Sequence, residues 1–426
     1  MHIPRSLRAL ALLACLAPAT ANAAGYSIYE QGAAALGMAG AYVASANDAT
    51  AQFYNPAAMV NLKGRQLSVG GTWLSTYNSF AGEDPYPGTG VVEEMNRGNF
   101  FPPTMYWTNR FRESLAYGVG VNAPFGLGVD WKNPETFTGR ERVTKALLQS
   151  VDASFSLAWR MSPNWSVAGG PNLRMAKVEL NQIGTFIGTG GAPINVSRAQ
   201  LTSEFERGMG WHAAIHGTPW KQWRFGAAYR SKVEVDVEKG RAKFTQMLTG
   251  DPVLDGTIAA GLPPEQDAKT KLVFPAQLVF GFAWDPAPGW TYEIDGVWSQ
   301  WSSFAELPLD FATSNELDQV IREDYADQMA VRVGAEHRLD TWTYRAGYYF
   351  DAAAAPVESV TPLLPDASRH GATLGFGRRF GKWTLDAYNL FLFVEKRSTE
   401  GRERDGYNGV YKSYVNALGA TLAYHW

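Results

Sequence analysis

Cysteine is nearly absent: Cys15 is the only one in 426 residues. A disulfide framework, a thiolate nucleophile and a cysteine-ligated metal therefore have little to build on. Charge bias is absent too, with 38 Lys+Arg against 41 Asp+Glu and a net charge of -3, so nucleic-acid binding has no electrostatic support. After Ala23 no run of 18 apolar residues occurs, which excludes a transmembrane helix. Aromatics (13%) and 43 glycines are plentiful instead, a composition that suits strands with one face in lipid and one in water.

The first residues read as an export signal. Arg5 and Arg8 precede the short apolar run Ala9 to Ala19, and Ala21-Asn22-Ala23 offers a small-x-small cleavage site. That run is too short to span a bilayer as a helix. Leu12-Leu13-Ala14-Cys15 resembles a lipoprotein box, but only about six apolar residues precede it, so ordinary cleavage is the stronger reading. Cleavage would remove Cys15.

Alternation fills the rest of the chain. Val151, Ala153, Phe155, Leu157 and Trp159 interleave with Asp152, Ser154, Ser156 and Arg160; Leu418, Ala420, Leu422, Tyr424 and Trp426 form the last such row. Period two puts these sets on opposite faces of a strand. A soluble sandwich alternates as well, and three features decide against it. Strands run to ten residues or more, the length a tilted strand needs to cross a bilayer. Trp165, Trp223, Trp284, Trp290, Trp342 and Trp383 mark strand ends like a membrane girdle. Tight turns (161–164, 285–289, 339–341, 381–382) alternate with long connections, among them 181–204 and 238–269. The reading is all-β: a 14-stranded antiparallel transmembrane β-barrel spanning 64–426, its first strand at 66–78 and its last at 413–426, after a signal peptide at 1–23. An even count closes the barrel and leaves no edge for lipid to meet. Residues 24–63 show no strand period. They either hang in the periplasm or plug the lumen, which in so wide a barrel side chains cannot fill.

Several segments resemble FadL-type outer-membrane hydrocarbon transporters. They are Ala24-Gly25-Tyr26, Glu30-Gln31, Gly37-Met38-Ala39-Gly40, Asn47-Asp48-Ala49, Asn55-Pro56-Ala57-Ala58-Met59, Pro124-Phe125-Gly126-Leu127, Tyr229-Arg230-Ser231-Lys232-Val233, Trp301-Ser302-Ser303-Phe304 and Leu364-Pro365-Asp366 with Arg369. The resemblance covers the whole chain after the signal. It implies an N-terminal hatch over 24–63, capture of ligand on outer loops, a lumenal pocket touching the hatch, and lateral exit into the bilayer at a kinked strand. The expected cargo is long-chain fatty acid, with neutral aromatic hydrocarbon as the alternative.

Site expectations follow from the resemblance and the residues together. Asn55, Pro56 and Ala57 are the expected hatch latch; a plain turn into the first strand is the alternative. The resemblance places Tyr26 at the pocket. Pro124 and Gly126, or the deeper Gly118 and Gly120, would carry the kink. The resemblance assigns a ligand carboxylate to basic residues, here Lys177 and Arg322. Period-two counting instead turns Asn172 and Arg174 inward and Lys177 toward lipid, so Arg174 is a third candidate. Phe186, Ile187, Leu254 and Ile258 sit in outer loops greasy enough to capture ligand. Lipopolysaccharide and outer-membrane lipid would surround a monomer. The terminal Trp426 closes an alternating strand like the signal read by barrel-assembly machinery. No cofactor or metal is expected. His212 and His216 share a face, but no local motif demands an enzyme.

Overall fold

The structure, a computed structural model, describes residues 25–187 and 191–426; the expected signal peptide lies outside them. Fourteen wall strands follow in order: β1 Arg65–Gly82, β2 Pro103–Arg112, β3 Leu115–Asn122 continued by Gly126–Asp130, β4 Lys145–Ser162 and β5 Trp165–Ile187. Then come β6 Glu206–Trp220, β7 Trp223–Arg230 continued by Val233–Gln246, β8 Gln266–Phe274 continued by Gln277–Trp284, and β9 Trp290–Ser299. The last are β10 Gln328–Leu339, β11 Trp342–Asp351, β12 Arg369–Phe380, β13 Trp383–Val394 and β14 Gly409–His425. Each pairs antiparallel with its neighbours, and β1 pairs with β14 from Gln66↔His425 to Gly82↔Gly409, which closes the barrel. Closure leaves the wall without a free outer edge, as a bilayer requires, and the ladder is interrupted within β3 at Ala123-Pro124-Phe125.

The pleat sorts side chains as their polarity demands. On β4, Phe155, Leu157 and Trp159 are exposed on the outside while Asp152 and Ser156 are buried in the lumen. On β6, Trp211 points out and His212 and His216 point in. Exposed Trp223, Trp284, Trp290, Trp342 and Trp383 collect at the rim of the short turns, where Trp223 stacks on Trp284 at 5.8 Å. Trp165 stands at the same rim, half-buried.

The other rim differs from expectation. The stretches 181–204 and 238–269 read as loops, yet β5 runs on to Ile187 and pairs with a strand at Pro193–Thr202, which pairs in turn with the second half of β7. Along these extensions one face stays covered, with Ile183 and Ala242 buried, while the other carries Glu238, Arg241 and Lys243 in place of lipid-facing apolar groups, so the apolar alternation that marks the membrane part is gone. Beyond them the helix Pro252–Gly261 starts on Asp251, whose carboxylate accepts from the N–H groups of Val253 and Leu254.

Residues 26–62 fill the lumen. Two short helices, Ala33–Gly37 and Ala51–Tyr54, and a 3-10 turn at Pro56–Asn61 bury Leu36, Met38, Tyr42, Tyr54 and Met59 completely. The wall holds this plug through inward polar groups. Asp295 accepts from Tyr42 N (2.8 Å) and Val43 N (3.1 Å), Glu293 accepts from Ala44 N (2.6 Å), and Arg332 donates to Ala39 O (3.0 Å). Arg160 reaches Val60 O at 2.7 Å and Ser166 reaches Ala57 O at 2.8 Å. The plug is thus a hydrogen-bonded insert rather than a loose tail.

Candidate functional site

The site begins with a break in the wall. β3 pairs with β2 up to Val121 and with β4 up to Asn122, then Ala123-Pro124-Phe125 interrupts it. Pro124 has no N–H to give a ladder. When the strand resumes at Gly126–Asp130 it pairs with β4 alone, from Gly126↔Gln149 to Asp130↔Lys145. Its other flank faces Phe100, Phe101 and Pro102. The Phe100 ring lies so close over Gly128 that a side chain there would overlap it.

The N-terminal tail fills part of the vacated flank. Ser27 bridges Phe125 antiparallel, with Ile28 N on Pro124 O at 2.8 Å and Gly126 N on Tyr26 O at 3.0 Å. Gln31 adds Nε2 bonds to Ile28 O and Ala123 O, both 2.9 Å. Tail and wall break are therefore one hydrogen-bonded unit.

Tyr26 anchors an aromatic box. Its hydroxyl donates to Val273 O at 2.7 Å, and its ring meets Phe125, Phe274, Trp301 and Phe304 edge-on at centroid distances of 4.9–6.1 Å. Edge-to-face pairs add to their area burial. Gly25 takes a φ of 51°, and a side chain there would strike Trp301.

Two cavities share the Tyr26 wall. The larger, about 610 Å³, is lined by the tail from Gly25 to Glu30, by Arg332, Asp351 and Arg369 on the lumenal side, and by Phe101, Leu127 and Phe205 at the break. Phe101 and Phe205 are exposed, so the cavity reaches from the charged residues to the protein surface beside the break. The smaller, about 100 Å³, lies among Leu148, Leu180, Leu272, Phe304, Leu309 and Leu363.

Residues 13–426 match the family model described as outer membrane protein transport protein (OMPP1/FadL/TodX). The chain belongs to this family. It is 22% identical to a long-chain fatty acid transport protein of Escherichia coli O6:H1, over 94% of each chain. It is 25% identical to outer membrane protein P1 of Haemophilus influenzae, over 88% of this chain and 86% of that one. Among solved structures, a Pseudomonas aeruginosa FadL homologue superposes with a TM-score of 0.82 at 20% identity, covering 94% of this chain and 99% of that one. The toluene transporter TodX of Pseudomonas putida superposes with 0.72 at 16% identity, covering 93% and 98%. These likenesses fix the barrel, and the family fixes the outer membrane as its place and the movement of hydrophobic substrates as its work.

Within this FadL/TodX frame the expected residues fall as follows. Asn55 is fully buried: its amide donates to Val43 O (2.7 Å) and Ile215 O (3.1 Å), and its oxygen caps Ala57 N (3.1 Å) as Pro56 opens the 3-10 turn. Tyr26 and Gly126 line the larger cavity; Pro124 makes the break. Gly118 and Gly120 lie where β3 pairs without interruption, and their missing side chains make room for Gln52 and Met59 of the plug. The three candidate cations scatter. Arg174 points inward under the box, its guanidinium 4.5 Å from the Phe125 ring and 4.7 Å from Phe274, but it grips Asp152 at 2.6–2.7 Å. Lys177 is turned outward by the period-two register, 5.1 Å from the Phe205 ring, and lines neither cavity. Arg322 is exposed on an outer segment, away from both. The cations that do line the larger cavity are Arg332 and Arg369, which share Asp351 at 3.2 and 3.7 Å. Inward phase alone does not single them out, because several other strands carry inward charges, among them Asp152, Arg174, Glu293, Asp295, Arg345 and Asp386. Phe186 and Ile187 are exposed at the tip of β5, and Leu254 and Ile258 are half-exposed on the outer helix. His212 and His216 serve the interior, bonding Ser156 (2.6 Å) and Asn172 (2.9 Å), and Ala44 O (3.0 Å).

One outer-loop acid stands out. Glu323 is buried with neither carboxyl oxygen partnered, beside Ala305 O, which accepts its N–H at 2.8 Å. Burial pushes its pKa up to about 8 from an ordinary 4.5. Because the folded value is the higher one, this group's contribution to stability is whole below pH 4.5 and drains away as pH rises through 8. Hydrogen exchange over 319–327 should therefore quicken from pH 5 to pH 9 relative to Glu323→Gln at the same pH. Equal profiles for the two chains would contradict the burial argument.

Proposed function

We propose that the chain carries long-chain fatty acids inward: outer loops collect the ligand, the aromatic box and larger cavity hold it, the tail shifts, and the acyl chain leaves sideways through the break in β3. The observation that carries this reading is the larger cavity itself. It joins a polar wall, where Arg332 and Arg369 stand among Glu30, Asp351 and Asp366, to an opening lined by exposed Phe101 and Phe205, which suits a molecule with a polar head and a greasy tail. A relative named as a long-chain fatty acid transport protein supports it. In this scheme Phe186, Ile187, Leu254 and Ile258 make first contact. Asn55, Pro56 and Ala57 set the resting position of the plug, and Tyr26 is the group the ligand displaces. Arg174, freed from Asp152, or Arg332 with Arg369, receives the carboxylate.

Neutral aromatic hydrocarbons are the second reading. They are favoured by the small cavity, whose lining is mostly apolar with Glu179, Arg241 and Lys269 among it, and by likeness to a protein named as a toluene transporter.

Uptake of radiolabelled oleate by transport-deficient cells expressing the chain separates the readings. Restored uptake is expected. It should fall several-fold in Pro56→Ala and further in Asn55→Ala, which removes three buried hydrogen bonds worth about 1 kcal/mol each. A folded, inserted barrel that takes up toluene but no oleate would replace the first reading with the second.

A further inference from the structure

Between the aromatic box and the plug lies a third, much smaller cavity of about 20 Å³, room for one small polar group. Gln52, Phe53, Asn122, Asp152, Ser154, Asn172, His212 and Arg230 are among its walls. Two of its donors point at nothing. The Asn122 amide nitrogen is buried, on a residue only 3% exposed, and has no partner. Arg230 Nη1 is likewise buried and unbonded.

Arg230 is an unusual lumenal cation. Arg174, Arg332 and Arg345 each hold a carboxylate. Arg230 holds none among the described residues; it stacks 3.9 Å over the Phe53 ring and donates Nη2 to Phe53 O. The one carboxylate beside it in this cavity, Asp152, is engaged by both ends of the Arg174 fork. Gln52 Oε1 of the plug is also unbonded in this cavity, but one neutral acceptor leaves the cation uncompensated; unsatisfied buried donors each cost about 1–3 kcal/mol and a buried cation more, which points to an anionic acceptor that comes and goes.

We infer that Arg230 and Asn122 form an inner carboxylate site, one station deeper than the aromatic box, where the head of an anionic lipid rests while its tail lies in the break of β3. The inference rests on the fatty-acid reading and deepens it. Asn122 is the last paired residue before the break, so a head held there leaves the tail at the opening. Arg230 also binds the plug through Phe53 O, so a carboxylate competing for the guanidinium loosens that contact. Arrival of the correct head group is then felt by the plug. A neutral hydrocarbon makes no such exchange.

Equilibrium binding of radiolabelled dodecanoate and dodecanol to the full chain in lipid nanodiscs tests this, with heat-modifiable gel mobility to show that each barrel is folded. Arg230→Gln should weaken dodecanoate about tenfold or more, the loss of one charge-assisted bond, and leave dodecanol unchanged. Arg230→Lys should recover part of the loss, and Asn122→Ala should weaken dodecanoate selectively by a smaller factor. Equal weakening of both ligands would make Arg230 a structural prop and overturn the inference. So would an unchanged dodecanoate affinity in folded Arg230→Gln and Asn122→Ala. A wild-type chain that binds dodecanol but never dodecanoate overturns the site too; one that binds neither overturns the fatty-acid reading on which it rests.

Discussion

A chain carrying Ser27→Cys and Phe125→Cys should lose oleate uptake at least about tenfold when oxidised and regain it on reduction. The two positions face each other across an antiparallel bridge flanked by the Ile28 N–Pro124 O and Gly126 N–Tyr26 O bonds. That pattern makes them a non-hydrogen-bonded pair, in which Cα atoms stand about 4.5 Å apart and a disulfide closes without moving the backbone. The only native cysteine, Cys15, lies within the expected signal, so no other thiol competes. The bond would staple the tail to the break and hold the opening shut. Phe125→Cys also removes a ring from the aromatic box, and the reduced double variant is the control for that loss. Uptake that is equally low before and after reduction would assign the effect to the ring and not to the staple. Uptake that stays high when oxidised would mean that ligand leaves elsewhere, with the tail at rest.

The wall was legible because a bilayer imposes a simple code. Phe155 out and Ser156 in, Trp211 out and His212 in, follow from period two wherever lipid lies on one side. Pro124 was legible for a similar reason: a missing N–H cannot be hidden in a ladder. The code stops where the lipid stops, which is why 181–187 and 238–246 looked like loops although they are strand. The interior follows no local code. Whether an inward arginine is free or engaged depends on residues far along the chain: Arg345 is consumed by Glu336 at 2.7 Å and Asp386 at 2.6 Å, Arg174 by Asp152, while Arg230 is left over. Nothing near Arg230 in sequence announces this. The plug was opaque for the same reason. Its helices are five and four residues long, below the length at which period is readable, and its shape is set by where the wall offers acceptors.

Those acceptors predict the second large effect. Asp295→Leu should release the plug turn at Tyr42-Val43-Ala44 and make cells permeable to a large hydrophilic antibiotic such as vancomycin, while the barrel itself stays folded. Asp295 takes two buried N–H groups, and a side chain of similar size without an acceptor strands both, at about 1–3 kcal/mol each. The remaining ties at this turn are Glu293 to Ala44 N, His216 to Ala44 O and Asn55 to Val43 O. Asp295→Asn supplies the contrast. It keeps an acceptor oxygen and replaces one of two buried carboxyl groups spaced two residues apart on one face of β9, so the lock should hold or tighten. Antibiotic sensitivity that rises with Leu and not with Asn assigns the lock to the hydrogen bonds. Equal sensitivity in both would assign it to the charge. Wild-type resistance in the Leu variant, with the barrel confirmed in the membrane, would mean that packing of Leu36, Met38 and Tyr42 holds the plug unaided.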